Sequence, residues 1–234
     1  MAFAQVIGTP TGSSHDSGVT DHTVTLPTLA AGELALVLFV SHEAATFPAG
    51  WTRVASTGAN NIAGSWAHHI CDGTEGASIT VTTVGAVASA HLVYRIQGHG
   101  SSSQVPQSLS SATCVVTATP DPTTCTPTGG AKDYLWIVFI GADSGYVVTA
   151  ASANYTDLVT SDSGSTANVS MAVSSFRREL NAVSQNAGAC TLEASEGTYA
   201  ITIAVHPGTE GNPAAAVIRR RIVKSQAVHR ASRW

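Results

Sequence analysis

The chain has 234 residues, of which 44% are hydrophobic and only 11% are charged, and its formal net charge is −4. This length allows one large domain or two small ones to bury a core without disulfides or metals. No apolar run approaches the ~18 residues of a membrane-spanning helix, which excludes that class. The weakly charged, hydroxyl-rich composition is typical of surfaces that pack against copies or neighbours, and also of secreted β domains.

The N-terminal region predicts little regular structure before its first strand. Ala2–Ile7 is a short apolar segment, and the sequence GTPTGSSHDSG after it is typical of a turn-rich loop. Alternation over His22–Leu26 then predicts a strand. Because the N-terminus lacks a basic region followed by an apolar stretch, we expect no secretory signal and synthesis in a cytoplasm.

Two uninterrupted apolar runs, Leu34–Val40 and Tyr134–Ile140, are predicted to be the core strands. Runs of seven residues are too short to span a membrane and favour strands buried on both faces. A sandwich strand with one face in water would alternate, so the second face of each run must be covered. An exposed apolar face of that size is unusual on a monomer, and we therefore expect copies of the chain to associate.

The remaining predicted strands follow the same order in both halves of the chain. They are Trp51–Val54, Ser65–Cys71, Ser78–Val84 and His91–Ile96 in the first half, and Cys114–Ala118, Tyr155–Leu158, Asn168–Val173, Cys190–Ala194 and Tyr199–His206 in the second. Residues 174–183 also show helical spacing of apolar side chains, which predicts a possible short helix there.

The two halves predict an internal duplication. Counterparts are offset by 100 at the apolar runs, by 104 between Trp51 and Tyr155, and by 110 between Gly98 and Gly208. An offset that changes only in loops indicates two repeats of about 100 residues. We therefore expect an all-β, antiparallel β-sandwich, either as one pseudo-symmetric sandwich or as two.

The predicted sandwich domain covers residues 1–209, with repeat 1 at about 20–100 and repeat 2 at about 112–209. Residues 210–234 form a predicted C-terminal basic arm, in which Asn212 and Pro213 favour a helix start.

Charge is divided unequally between body and arm. Residues 1–218 hold five basic and fifteen acidic side chains, a net charge of −10, whereas the last sixteen residues carry +6. The arm is expected to contact an acidic neighbour, a copy of the body or nucleic acid. Nucleic acid is the less favoured partner, because the body is acidic and only one aromatic side chain accompanies the basic ones. The predicted interaction residues are Arg219, Arg220, Arg221, Lys224, Arg230, Arg233 and Trp234.

Histidines and cysteines are the residues that could form metal or redox sites. His68 and His69 are adjacent on a predicted strand and so point to opposite faces, which disfavours one shared ion. The pairs His15-Asp16 and Asp21-His22 could meet, but nothing in the sequence fixes their geometry. Four cysteines lack CxxC spacing. Cys114 and Cys125 flank a Pro-rich turn, so either a bonded pair or free buried thiols fit the sequence.

Catalytic motifs are absent from the sequence, and we expect no enzyme, no cofactor and no metal. The tripeptide Asp-Ser-Gly occurs at 16–18, 143–145 and 162–164. Turns explain it better than a nucleophile, because Asp and Ser bond their own backbone and Gly supplies positive φ.

The first half also resembles a known module. PAGWT after an apolar strand, then DGTEG, SITVTT and a closing HLVYRIQG resemble a β-sandwich module of structural proteins of tailed bacteriophages. The resemblance covers most of residues 25–98 and, through strand order alone, 131–208, where Asn154-Tyr-Thr replaces PAGWT.

The resemblance implies a jelly-roll-like virion protein, either a head decoration (cement) protein or part of a tail fibre or spike. It would bind the major capsid protein or another virion protein and form a dimer or trimer.

Two alternatives come from other functional classes. A carbohydrate-binding or adhesin module would present Trp51, Trp66 and Tyr94, or the His-rich loops, to a sugar, and this requires aromatic faces open to solvent. A secreted lectin-like or hydrolytic domain would need an export route that the N-terminus does not show.

Overall fold

The computed structural model describes residues 2–101, 104–109, 112–164 and 170–208, and every regular element in these ranges is a β-strand. The strands are β1 (Gln5–Val6), β2 (Thr11–Thr25), β3 (Leu34–Ser41), β4 (Thr52–Ala59), β5 (Ile62–Ile70), β6 (Ser78–Gln97), β7 (Thr113–Thr117), β8 (Lys132–Asp143), β9 (Val148–Ala150), β10 (Thr156–Asp162), β11 (Met171–Ala182), β12 (Thr191–Leu192) and β13 (Glu196–Val205).

The strands form two main antiparallel sheets that pack face to face. In the first sheet the order is β4-β5-β3-β6, and β1 and β2 both pair with the outer edge of β6. In the second the order is β10-β11-β8-β13-β7, and β9 and β12 form a separate small ladder. The predicted all-β antiparallel sandwich is confirmed. The jelly-roll connectivity is not confirmed, because each main sheet takes its strands from one half of the chain.

Both main sheets have the same strand order when their strands are numbered from the start of each half. Strands β2, β3, β4, β5 and β6 occupy the places that β7, β8, β10, β11 and β13 occupy in the second sheet. Across the sandwich β2 meets β10 and β4 meets β7, while β6 meets β11 and β5 meets β13. Exchanging the halves interchanges these contacts, which is the pattern of a pseudo-two-fold axis through β3 and β8. This arrangement agrees with the two-repeat interpretation, which stays a prediction for the sequence.

The residue offset between the two core strands is 101, so the sequence-based offset of 100 was wrong by one residue. Leu36 and Leu38 of β3 face the core between the sheets, and so do Ile137 and Phe139 of β8. Because strand faces alternate, an even offset would equate an inner side chain with an outer one. The offset of 104 holds at β4 and β10, each of which carries a bulge near its start.

Three local predictions were wrong. The turn-rich loop is instead most of β2, which pairs with β6 through two register shifts. The strands predicted at Ser78–Val84 and His91–Ile96 are parts of the single strand β6. The possible helix at 174–183 is β11, in which Val173 enters the core between the sheets while Phe176 enters a separate outer cluster. Over Met171–Phe176 both faces of the strand are buried, which removes the simple alternation that marks a strand.

The chain covers the second faces of its own core strands. On the outer face of the first sheet, Val37 and Phe39 pack with Leu26, Leu29 and Ala45 in one buried cluster. On the outer face of the second sheet, a larger cluster buries Trp136 and Val138 of β8. The expectation that copies of the chain must cover these faces was therefore wrong, because loops and strand extensions of the same chain do so.

Candidate functional site

The predicted interaction residues of the arm lie outside the described residues. They are Arg219, Arg220, Arg221, Lys224, Arg230, Arg233 and Trp234. The site that the structure does describe is therefore built from other side chains, in the sandwich body.

The proposed aromatic sugar platform is wrong for two of its three members. Trp66 and Tyr94 are fully buried in the core between the sheets. Tyr94 donates a hydrogen bond from its hydroxyl to Ser175 Oγ at 2.7 Å, and Ser175 donates to the Val138 carbonyl at 2.7 Å. Trp51 is half-buried, with its ring centroid 5.3 Å from that of His69. Trp66 and Tyr94 therefore present no open aromatic face.

Three histidines meet where β2 pairs with β6, on the outer face of the first sheet. The ring of His15 lies 5.7 Å from that of His22 and 5.8 Å from that of His91. His91 stacks on Phe39 at 5.1 Å with an interplanar angle of 13°, and His22 meets the same ring edge-on at 5.3 Å. His22 and His91 are completely buried. We call this group, with its hydroxyl partners, the histidine network.

Each hydroxyl of the network accepts one hydrogen bond and donates the next, so the donors all point the same way along the chain of hydrogen bonds. The Gly85 carbonyl, which can only accept, sets this direction. Thr83 Oγ1 donates to the Gly85 carbonyl at 2.8 Å, so it must accept from His22 Nε2 at 3.0 Å. His22 Nδ1 is then an acceptor, and Ser89 Oγ donates to it at 2.8 Å. A neutral His22 protonated at Nε2 satisfies all of these contacts.

The hydrogen bonds also fix the tautomer of the second buried ring, His91. Because the Ser89 proton goes to His22, Ser89 Oγ accepts from His91 Nε2 at 2.9 Å. His91 Nδ1 accepts from Ser13 Oγ at 2.7 Å, and Ser13 Oγ accepts from the backbone N–H of Thr25 at 3.1 Å. Both buried histidines are therefore neutral Nε2–H tautomers, and the network joins β2 to β6 by side chains as well as by the backbone ladder.

Electrostatics keep these rings uncharged. Burial, followed by the nearby His15, lowers the pKa of His22 to about 4, against a smaller opposing effect of Asp21. Burial, followed by His15 and His22, lowers the pKa of His91 to about 3. Removing a charged imidazole from water without a compensating anion is unfavourable, so the network is stable only when both rings are neutral.

The pair Ser13–His91 has the contact of a nucleophile and its base, but its surroundings do not fit that role. A general base works best when its pKa lies near the working pH, and that of His91 is about 3. The third member of the chain is the hydroxyl of Ser89 rather than a carboxylate, so nothing stabilises an imidazolium. The arrangement supports a structural role for these side chains.

The histidines do not form a metal centre in the described part of the chain. There, no group of three His, Cys, Asp or Glu side chains has a geometry that could hold an ion. His15 and His22 do meet, but both ring nitrogens of His22 bond protein hydroxyls. His68 is buried, whereas His69 lies against Trp51 and contacts Glu75 at 3.3 Å, so these neighbours do not share a ligand.

The Asp-Ser-Gly tripeptides at 143–145 and 162–164 lie where a strand ends and the chain turns or bends, whereas the tripeptide at 16–18 lies inside β2, so the turn prediction was wrong there. Gly164 donates its N–H to Asp162 Oδ1 at 2.9 Å and has a φ of 102°, and Gly18 and Gly145 also have positive φ. All four cysteines are free. Burial raises the pKa of Cys125 and that of Cys190 to about 12, which leaves these thiols unreactive at neutral pH. The alternative of a Cys114–Cys125 bond was wrong.

Sequence reasoning missed the hydroxyl members of the network. A signal was present, since Ser13 and His15 on one strand and Ser89 and His91 on another are each spaced by two residues and so share a face. Reading GSSHDSG as a loop hid the first pair.

Comparison with known proteins gives no match: no protein-family model, no curated protein and no solved structure is significantly similar to the chain. Within the described ranges, no helix is long and apolar enough to cross a membrane.

Proposed function

We propose that the protein is a structural component of a tailed-bacteriophage virion that decorates or cements the capsid, binding both the shell and copies of itself. The observation that carries the proposal is the charge division in the sequence, with −10 on residues 1–218 and +6 on the last sixteen. Opposite charges on a body and its arm favour docking of the arm on a neighbouring body, with gains in association rate and specificity more than in affinity.

The features of the sandwich body are consistent with a structural role. The side chains of the histidine network and of the Tyr94–Ser175 bridge are engaged in internal hydrogen bonds. The outer faces of the body are closed by its own chain, so contacts between copies rest on the arm and on the polar surface. We therefore propose a non-enzymatic role, with the virion as the place where the protein acts and a dimer or trimer as its assembly.

Light scattering tests the self-association. The full chain is compared at low and high salt with a version ending at Glu210 and with a variant carrying Gln at Arg219, Arg220 and Arg221. We expect a dimer or trimer for the full chain and a weaker assembly for both altered forms, most clearly at low salt because exposed charges are screened at high salt. A monomeric full chain at all concentrations would refute self-association.

Virion location needs a separate test. Particles purified from cells that express the phage genes surrounding this one should contain the protein at a fixed ratio to the major capsid protein, measured by quantitative mass spectrometry. Its absence from washed particles would refute the virion role, whatever the oligomeric state.

A second candidate function is carbohydrate binding. Trp66 and Tyr94 are buried and cannot contact a sugar. The observation that favours this candidate is a cleft at one rim of the sandwich.

A further inference from the structure

The pseudo-two-fold arrangement gives the sandwich two equivalent rims, where the segment leading into the first strand of each half lies over the gap between the sheets. Ile7 donates its N–H to the Arg95 carbonyl at 2.8 Å, and Gln107 donates to the Ala204 carbonyl at 2.9 Å. These pairs occupy the same place in their two sheets. Residues 5–8 and 105–108 therefore cover equivalent rims.

One of the two rims is closed. There, Trp66 of β5 is fully buried, and its indole N–H donates to Ser108 Oγ at 3.3 Å. The space beside it, lined by Leu34, His68 and Pro106, has no room for a water molecule. A large side chain thus fills the gap between the sheet and its covering segment.

The other rim is open. Trp66 lies opposite Leu38, and Ser175 lies opposite Phe139, which is the equivalent position of the second half. This rim carries a cleft of about 230 Å³, lined by Val6, Gly8, Thr9, Pro10, Tyr94 and Leu158 and by one ion pair.

Polar groups at this cleft are held in place by unusual backbone geometry. Asp157 lies at the β10 bulge with a φ of 55°, and its Oδ2 is 3.0 Å from Arg177 Nη2. Thr156 Oγ1 donates to the same carboxylate oxygen at 3.2 Å. A bulge of this kind re-aims a side chain, and here it places a carboxylate beside a guanidinium at the cavity wall. At the closed rim the residue equivalent to Arg177 is the buried His68.

We propose that this rim cleft binds a small polyhydroxylated ligand about the size of one sugar ring. A guanidinium beside a carboxylate offers donors and acceptors to two neighbouring hydroxyls, each of which can donate and accept. The apolar walls of Val6, Pro10 and Leu158 fit the C–H face of such a ring. The volume is below that of drug-sized sites, which favours a single ring over an extended ligand. An anionic ligand is disfavoured, because the Asp157 carboxylate already faces the guanidinium.

This site rests on the second candidate function, carbohydrate binding, and is independent of the proposed virion role and of the arm. The test is an amide ¹H–¹⁵N NMR titration of the full chain with a panel of neutral hexoses and N-acetylhexosamines, with glycerol, acetate and inorganic phosphate as comparison probes. We expect saturable shifts of the Gly8, Thr9 and Leu158 amides at roughly millimolar concentrations of at least one sugar. In Arg177→Gln and Asp157→Asn the Kd should rise about tenfold or more, since each removes a charged hydrogen-bond partner.

Arg178→Gln is the matched control, because it removes the same charge from the opposite face of β11, and its Kd should stay unchanged. Should Arg177→Gln fail to fold, Asp157→Asn decides alone, since Asn tolerates positive φ. The proposal is overturned if no sugar shifts these amides, if glycerol shifts them equally, if acetate or phosphate binds in place of the sugars, or if all three variants lose affinity alike.

Discussion

The histidine network predicts a specific loss of stability in mild acid. In the folded protein the pKa values of His22 and His91 are about 4 and about 3, below the ordinary value of 6.5. The unfolded chain therefore binds more protons than the folded one as pH falls below 6.5, so the free energy of unfolding decreases in that direction. The stabilisation is fully present above pH 6.5 and is lost as pH falls towards the folded-state values.

The magnitude follows from these values. Between pH 7 and pH 5 each buried neutral histidine should lose on the order of 2 kcal/mol of stability, so the pair should lose about 4 kcal/mol. His68, whose burial also lowers its pKa to about 4, adds to this loss. A protein of this size has only about 5–15 kcal/mol in total, so the effect should be large.

The assay is urea unfolding at pH 7 and pH 5 for the native chain and for His91→Gln. The variant should lose about 2 kcal/mol less between the two pH values, because one buried titrating ring is gone. His68 and the carboxylates contribute to both proteins alike, so the difference isolates His91. If both proteins show the same loss, the neutral buried state assigned to His91 is refuted. Nitrogen NMR at pH 7 should show His22 and His91 as Nε2–H tautomers, and an Nδ1–H ring at either position would break the hydrogen-bond order.

Three further predictions test the packing. Tyr94→Phe should cost about 1 kcal/mol of unfolding free energy, because Ser175 loses a donor but still donates to the Val138 carbonyl. Gly64→Ala should cost about 1–3 kcal/mol, since an added Cβ would overlap the ring of Tyr199; no change in the urea midpoint would show that the sheets can separate there. In the native protein a thiol reagent should modify the half-buried Cys114 first and Cys71, Cys125 and Cys190 only after denaturant is added. Rapid labelling of all four would contradict their burial.

The strands that the sequence predicted best are those that are marked by a short, continuous stretch of residues. The apolar runs in β3 and β8 are uninterrupted, and both strands pair on both sides at the centre of a sheet. The aromatic-Thr pairs Trp51-Thr52 and Tyr155-Thr156 likewise mark the starts of two equivalent bulged strands, β4 and β10. In these strands the residues that form the sequence pattern are also the residues that determine the local structure, so the strand can be predicted without knowing its partners.

The predictions that failed depend on residues far apart in the chain. β2 has the composition of a loop, yet Ser13 and His22 bond partners on β6 that are 78 and 67 residues away. The helix expected at 174–183 is a strand because β8 and β10 pair with its two edges. The cover of the outer faces comes from loops whose position no local pattern indicates. Neither the histidine network nor the rim cleft could be located without the register between strands.

The differences between the two halves show where a pseudo-symmetric sandwich can carry a site. At one rim Trp66, opposite Leu38, is fully buried and donates to Ser108, whereas the equivalent position opposite Phe139 is Ser175, which accepts a hydrogen bond from Tyr94. The first rim has no room for a water molecule, and the second carries the cleft beside Arg177 and Asp157. Pseudo-symmetry of the backbone therefore does not require two sites, because the side chains at equivalent positions of the two halves differ in size and polarity.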